Sequence, residues 1–285
     1  MEITAALVNQ LRQKTGAGVM DCKKALVEAN GDIEKAIEIL RKKGAAVAAK
    51  RAEKTANEGL ILTRISEDGK TGVIVEVNCE TDFVANSEDF RRFANDVLDA
   101  VANLKPANVH ELFDKNSEIK DKHKEIMGKV GEKIEVSRFS VESLENGMIV
   151  DYIHPGSKLG VLVAIENDQG SEDKMGTLGK DIAMQVAAMK PICIYREEVP
   201  QETIDKETEI YKELARKEGK PENILEKIAA GRLNKFYQEN CLVEQMFIKD
   251  NSKSVGDLIR EFNSSGGNQV KIKRFLRYHL GDEKK

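Results

Sequence analysis

A β-branched run, Thr71-Gly72-Val73-Ile74-Val75-Glu76-Val77, is followed ten residues later by the helix start Ser87-Glu88-Asp89-Phe90, and little else in the chain restricts the fold as strongly. The run has the length and composition of a strand. Ser87 suits a helix N-cap, and Glu88 and Asp89 suit a first helical turn. The segment between is therefore a tight strand-to-helix corner, and it carries Asp82 beside Phe83. Corners are normally small and polar, because a phenyl ring left in water is wasted apolar area. Two readings follow: Phe83 tucks back under its own helix, or a rigid corner presents a carboxylate and a ring to another molecule.

The flanking sequence extends this unit. Gly59 to Ile65 reads as a partner strand and Glu67-Asp68-Gly69-Lys70 as the hairpin turn. After the corner a helix buries Phe90, Phe93, Ala94, Val97, Leu98 and Val101 and ends before Lys105-Pro106. A weaker helix spans Ser117 to Met127, and Lys133 to Val141 alternates as a strand. The pattern then recurs. Met148 to Ile153, the loop His154-Pro155-Gly156-Ser157 and Gly160 to Ile165 form a second hairpin. Asp181-Ile182 through Val186-Ala187 to Met189-Lys190-Pro191 echoes Asp96-Val97 through Val101-Ala102 to Leu104-Lys105-Pro106. A duplicated core is expected. Glu166-Asn167-Asp168 stands where the first unit has Asn78 to Phe83, so the Asp-Phe corner occurs once, which favours a functional role for it.

Upstream, three short amphipathic helices fill the first 45 residues. Ile3, Leu7 and Leu11 mark the first, Cys22, Leu26 and Ala29 the second, and Ile33, Ala36, Ile37 and Leu40 the third, closed by Gly44. Val19 and Met20 beside the Gly16-Ala17-Gly18 turn form an exposed apolar knob, or else Met20 fills a gap in the bundle. Downstream of Pro200 two narrow apolar stripes flank Gly219-Lys220-Pro221, the grammar of an antiparallel helical hairpin that projects from the core and self-associates or touches a partner. Met246 to Ile248 and Gln269 to Phe275 are expected to close the core as strands around a helix from Val255 to Phe262. The fold class is thus α+β. Its expected organisation is a three-helix bundle (1–45), a helical linker (46–58), two core subdomains (59–145; 146–199 with 239–285) and a helical hairpin of coiled-coil type (200–238).

Several function classes recede. The formal charge of −4 offers no global attraction to nucleic acid, and Lys271, Lys273, Arg274 and Arg277 form a basic strand without interleaved aromatics for base stacking. No apolar run reaches membrane-span length, and the first residues lack the apolar core of a signal peptide. Cys22, Cys79, Cys193 and Cys241 are far apart in sequence, as are the four histidines, so no metal cluster is expected and the cysteines read as reduced thiols of a cytoplasmic protein. Phosphate-cradle, dinucleotide, nucleophile-elbow and zinc-protease motifs are missing. An interaction protein rather than an enzyme is expected, with no cofactor.

Two stretches resemble the signatures of a known family. Leu11-Arg12-x-x-Thr15-Gly16-Ala17-Gly18-Val19-Met20-Asp21-Cys22-Lys23-Lys24-Ala25-Leu26 and Glu76-Val77-Asn78-Cys79-Glu80-Thr81-Asp82-Phe83-Val84-Ala85-Asn86 are similar to those of bacterial translation elongation factor Ts. The resemblance implies a guanine-nucleotide exchange factor acting on the GDP-bound form of elongation factor Tu, and a bundle of the ubiquitin-associated type. It implies that Asp82 and Phe83, with Thr81 and Val84, intrude beside the partner's Mg²⁺ and nucleotide. Arg12, Val19, Met20 and Lys23 would grip its G domain, and His154 would face another of its domains. Ile248-Lys249 departs from the two apolar residues some members carry, and Gly281 to Lys285 stands where some continue into a last helix, which implies weaker contacts there. The alternative is an RNA- or ribosome-binding module using the hairpin and the basic strand. A homodimer through the hairpin is compatible with either.

Overall fold

The computed structural model describes residues 3–51, 54–167, 175–266 and 269–282. Asp168, set against the first corner above, and the terminal residues 1–2 and 283–285 lie outside the described residues. The architecture is α+β, with helices packed on small antiparallel sheets.

Helices α1 (Ala5–Thr15), α2 (Val19–Glu28) and α3 (Ile33–Arg51) form the N-terminal bundle. Thr4 caps α1 and Asp32 caps α3, each side chain accepting an amide proton three residues on. Leu11, Cys22, Leu26 and Ala36 are fully enclosed at its centre. Gly44 does not close α3, contrary to the sequence reading: the helix runs on to Arg51 through the Ala- and Lys-rich stretch. Gly44 is instead a crossing point. A Cβ built there would lie 2.7 Å from the Lys124 carbonyl and 3.4 Å from Cα of Gly128, so only glycine lets α3 approach α7 (Ser117–Val130) this closely.

Strands β1 (Glu58–Ile65) and β2 (Thr71–Cys79) pair as a hairpin, and β3 (Glu135–Ser143) joins the far side of β2. After β2 come α4 (Asp82–Ala85) and α5 (Glu88–Leu104), whose Phe90, Phe93, Val97, Leu98 and Val101 pack on the sheet. A short helix missed in the sequence, α6 (Val109–Lys115), starts at the Asn108 cap just beyond Pro106. The second sheet has the order β4-β5-β8, with β4 (Met148–Ile153), β5 (Leu159–Asn167) and β8 (Val270–His279). It packs against α8 (Met175–Met189) and α11 (Val255–Gly266).

The two sheets meet over Ile61, Ile74, Leu144, Ile149, Leu162 and Tyr278. The contact is reciprocal. A Cβ on Gly72 would lie 2.7 Å from Ile149, and a Cβ on Gly160 would lie 2.6 Å from Ile61, so each sheet uses a glycine to admit an isoleucine of the other. Lys105 and Lys190, which end α5 and α8 ahead of prolines, share a left-handed φ of 45°.

Helices α9 (Gln201–Lys217) and α10 (Leu225–Asn240) form the antiparallel hairpin. Its base is packed by Val199, Tyr237, Cys193 and Cys241. These two cysteines, distant in sequence, come within 3.5 Å sulfur to sulfur, and all four cysteines are free and buried. Met246 to Ile248 does not close either main sheet. β6 (Met246–Phe247) pairs only with β7 (Asp250–Ser254), and the Ile248 amide donates to buried Gln185 of α8 at 2.9 Å, which satisfies the backbone without a further strand.

Candidate functional site

The corner is built from three carboxylates and one hydroxyl. Thr81 leaves β2 in extended conformation and caps α4, its Oγ1 accepting the Val84 amide at 3.4 Å. Glu132, in the loop between α7 and β3, accepts both the Thr81 amide at 3.0 Å and the Thr81 hydroxyl at 2.7 Å. Glu80 is gripped by one guanidinium nitrogen of Arg51, 2.7 Å from each carboxylate oxygen, and by the Lys133 amide at 2.6 Å. Burial of Glu80 pushes its pKa upward, but the Lys133 amide and Arg51 outweigh that and hold it below the usual glutamate value of 4.5. At the exit the Ser87 hydroxyl donates to the Val84 carbonyl at 2.7 Å and accepts from the Phe90 amide at 3.3 Å. Buried Cys79 has its thiol pushed up to about 12 by desolvation, with Glu132 and Glu58 adding to it, which makes it an inert neighbour.

From this pinned turn Phe83 projects with 84 % of its surface exposed. Of the two sequence readings, the tucked ring is therefore excluded. Asp82 is exposed as well, and its carboxylate forms no hydrogen bond or ion pair among the described residues. Val84 is half-buried against the core that α5 covers. A free carboxylate and a bare ring on a one-turn helix anchored at both ends are equipped to enter a partner, with little conformational freedom left to lose.

The other sequence-derived residues occupy neighbouring surfaces. Arg12, Val19, Met20 and Lys23 are all exposed, Met20 at 62 %, so Met20 is part of a knob and does not fill the bundle. The α1–α2 turn is seated on the core: the side chain of Lys129, ion-paired to Asp89 of α5 at 2.7 Å, occupies the space a Cβ of Gly16 would need. The knob thus sits near the α5 start that the corner feeds. His154 is exposed, with Nδ1 bound by the Tyr152 hydroxyl at 3.0 Å. Its loop docks on β1 through the Ile61 amide and the Ser157 carbonyl at 2.7 Å. Lys158, just beyond, pairs with Glu58 at 2.6 Å. That partner raises its pKa, and Asp82 contributes to the same acidic surroundings.

Glu132, Arg51, Lys133 and Lys158 went unassigned in the sequence. Glu80 lay inside the quoted motif without a role, while Glu132 is 51 positions from its partner and has no local pattern to mark it.

The alternatives find less support. On β8, Lys271 and Lys273 flank Glu166 at 3.3 and 2.7 Å, Arg274 pairs with Glu142 at 3.1 Å and Arg277 with Asp282 at 2.6 Å, so the basic strand is largely neutralised by its own neighbours. The cleft between bundle and core, about 300 Å³, is lined by Asp89 and Asp96, which are engaged by Lys129 and Lys122. That is a docking seam rather than a set of groups poised on a substrate. Among the described residues no group of three or more His, Cys, Asp or Glu side chains is arranged to hold a metal, and no helix is long and apolar enough to cross a membrane.

Comparison with known proteins agrees with the motifs. The family model described as "Elongation factor TS" matches residues 80–282. The chain is 49% identical to an elongation factor Ts of Chlorobaculum parvum over 288 aligned positions, covering 98% of this chain and 99% of that protein. It is 48% identical to the elongation factor Ts of Chloroherpeton thalassium (99% of each chain) and 45% identical to that of a Clostridium botulinum strain (98% of this chain, 93% of that one). With relatives this similar along almost their whole length, and with both sequence motifs on exposed, anchored surface, the chain belongs to the elongation factor Ts family.

Proposed function

We propose that this chain is a guanine-nucleotide exchange factor that releases GDP from elongation factor Tu and performs no bond chemistry of its own. The observation that carries the reading is Phe83, 84 % exposed on a turn whose two ends are tied down, in a member of the elongation factor Ts family. Phe83 enters the GTPase beside its nucleotide site, and burying the ring supplies about 2–3 kcal/mol toward insertion. Asp82 follows it toward the partner's Mg²⁺. That ion neutralises phosphate charge and is the largest local charge in such a site, so displacing the groups around it weakens GDP more than an ordinary surface contact does. Arg12, Val19, Met20 and Lys23 hold the G domain, and His154 faces a second domain of the GTPase. The two sheet-and-helix units act as one rigid frame, read as copies of each other, that keeps these contacts at fixed spacing. The helical hairpin provides either a self-association surface or a further partner contact.

The deciding experiment is release of fluorescently labelled GDP from the cognate elongation factor Tu. Substoichiometric amounts of this protein accelerate release under the proposal. An unchanged release rate refutes it.

A further inference from the structure

The direction in which Phe83 leaves the surface depends on a residue outside the corner. A helical turn of four residues does not support itself, because nucleation costs more than one turn of hydrogen bonds returns. Its N-cap must therefore be held by something else. Gly131 ends α7 in the left-handed conformation, φ 72°, and turns the chain so that Glu132 faces Thr81. One oxygen of Glu132 takes the Thr81 amide and the other takes its hydroxyl proton. Committing that proton to Glu132 leaves a lone pair of Oγ1 directed at the Val84 amide, the bond that starts α4. The adjacent Lys133 amide fixes Glu80 in the same way, so a single loop grips both residues that precede Asp82.

We propose that Glu132 is a positioning residue for exchange. Its carboxylate orients the Thr81 cap, and through it the trajectory of Asp82 and Phe83, in the free protein before any partner arrives. The inference rests on the corner being the exchange element. Without the carboxylate, Thr81 retains its place in the chain but its hydroxyl rotates freely and the turn frays. Insertion then has to order a loose segment, and the maximal exchange rate falls at least about fivefold, within the hundredfold that a misplacement of about 1 Å costs.

The test compares Glu132→Ala, Glu132→Gln and Phe83→Ala in the full chain. It reads thermal unfolding, amide hydrogen exchange of the 81–86 segment without partner, and the maximal rate of GDP release separately from the half-saturating concentration. The expected result for Glu132→Ala is a protein still fully folded at the assay temperature, faster amide exchange confined to 81–86, and a lower maximal rate. Glu132→Gln, which keeps an acceptor of the same length, restores part of both. Unchanged amide exchange in Glu132→Ala overturns the proposal, as does a loss of rate that merely follows the folded fraction, or a glutamine variant no better than alanine. Full exchange activity in Phe83→Ala would instead sink the corner reading itself, whereas the partner-free amide measurement reports on the Glu132–Thr81 geometry alone.

Discussion

Phe83→Ala separates function from stability more cleanly than any other change. In the isolated protein the ring is 84 % exposed, so about one-sixth of its area is buried and truncation removes no more than about 0.5 kcal/mol of folding free energy. Phe90, seven positions on and fully enclosed, is the internal control: its truncation to alanine costs about 3–5 kcal/mol through lost burial and a cavity. In the complex the balance reverses. If Phe83 passes from water into the partner, its removal forfeits about 2–3 kcal/mol, or about 30- to 140-fold in an equilibrium constant at 1.4 kcal/mol per decade. Stopped-flow release of labelled GDP, with urea unfolding of the same preparations, measures both sides. The expected pattern is wild-type stability with a large loss of exchange for Phe83→Ala, larger than that for Asp82→Ala. A variant destabilised like Phe90→Ala, or one that exchanges at the wild-type rate, would show that the ring is not the inserted element.

Two further expectations concern the frame that carries the corner. Helix propensity alone makes Gly44→Ala stabilising by about 1 kcal/mol, but the Lys124 carbonyl 2.7 Å from the new Cβ predicts the opposite sign. Gly44→Val should cost about 1–3 kcal/mol by overpacking and should expose the bundle–core junction to proteolysis; a stabilised, protease-resistant variant would show that α3 and α7 are not in close contact. His123 lies between Phe93 and Phe113, its Nε2 donating to the Ile134 carbonyl at 2.7 Å, and burial lowers its pKa below the usual 6.5 despite that bond and the charge of Glu135. The unfolded chain therefore binds this proton first, so stability falls as pH drops below about 6.5 and continues to fall until the depressed folded pKa is passed. In Glu- and Asp-neutral terms the contribution is isolated by His123→Gln, which should flatten that part of the profile; parallel profiles for the two proteins would contradict the assignment.

Much of the frame was legible because its signals are local. The β-branched run before the corner, the Ser87 cap and the Phe90–Val101 stripe each declare an element within a single turn or strand. The helical hairpin is announced by Gly219 and Pro221. What escaped depends on partners distant in sequence. Gly44 looked like a helix stop, since nothing nearby shows that Gly128 will lie against it and that the helix will continue. The strand at Met246 was assigned to a closing sheet because the buried Gln185 that satisfies Ile248 is 63 positions away. At the corner, Asp82 and Phe83 stood out for being chemically misplaced in a turn. Whether the ring faced outward was not decidable, because the answer lies with the groups that hold the turn in place: Glu132 at Thr81 and Arg51 at Glu80.

Exchange by this account is a coupling between two ligands of one GTPase, and coupling is reciprocal: the factor by which this protein weakens GDP is the factor by which GDP weakens this protein. Calorimetric titration of the chain into nucleotide-free elongation factor Tu, and separately into its Mg²⁺–GDP form, measures that factor directly. The account predicts much tighter binding to the nucleotide-free form, with the gap between the two affinities narrowing in Phe83→Ala. Equal affinity for the two forms would contradict it.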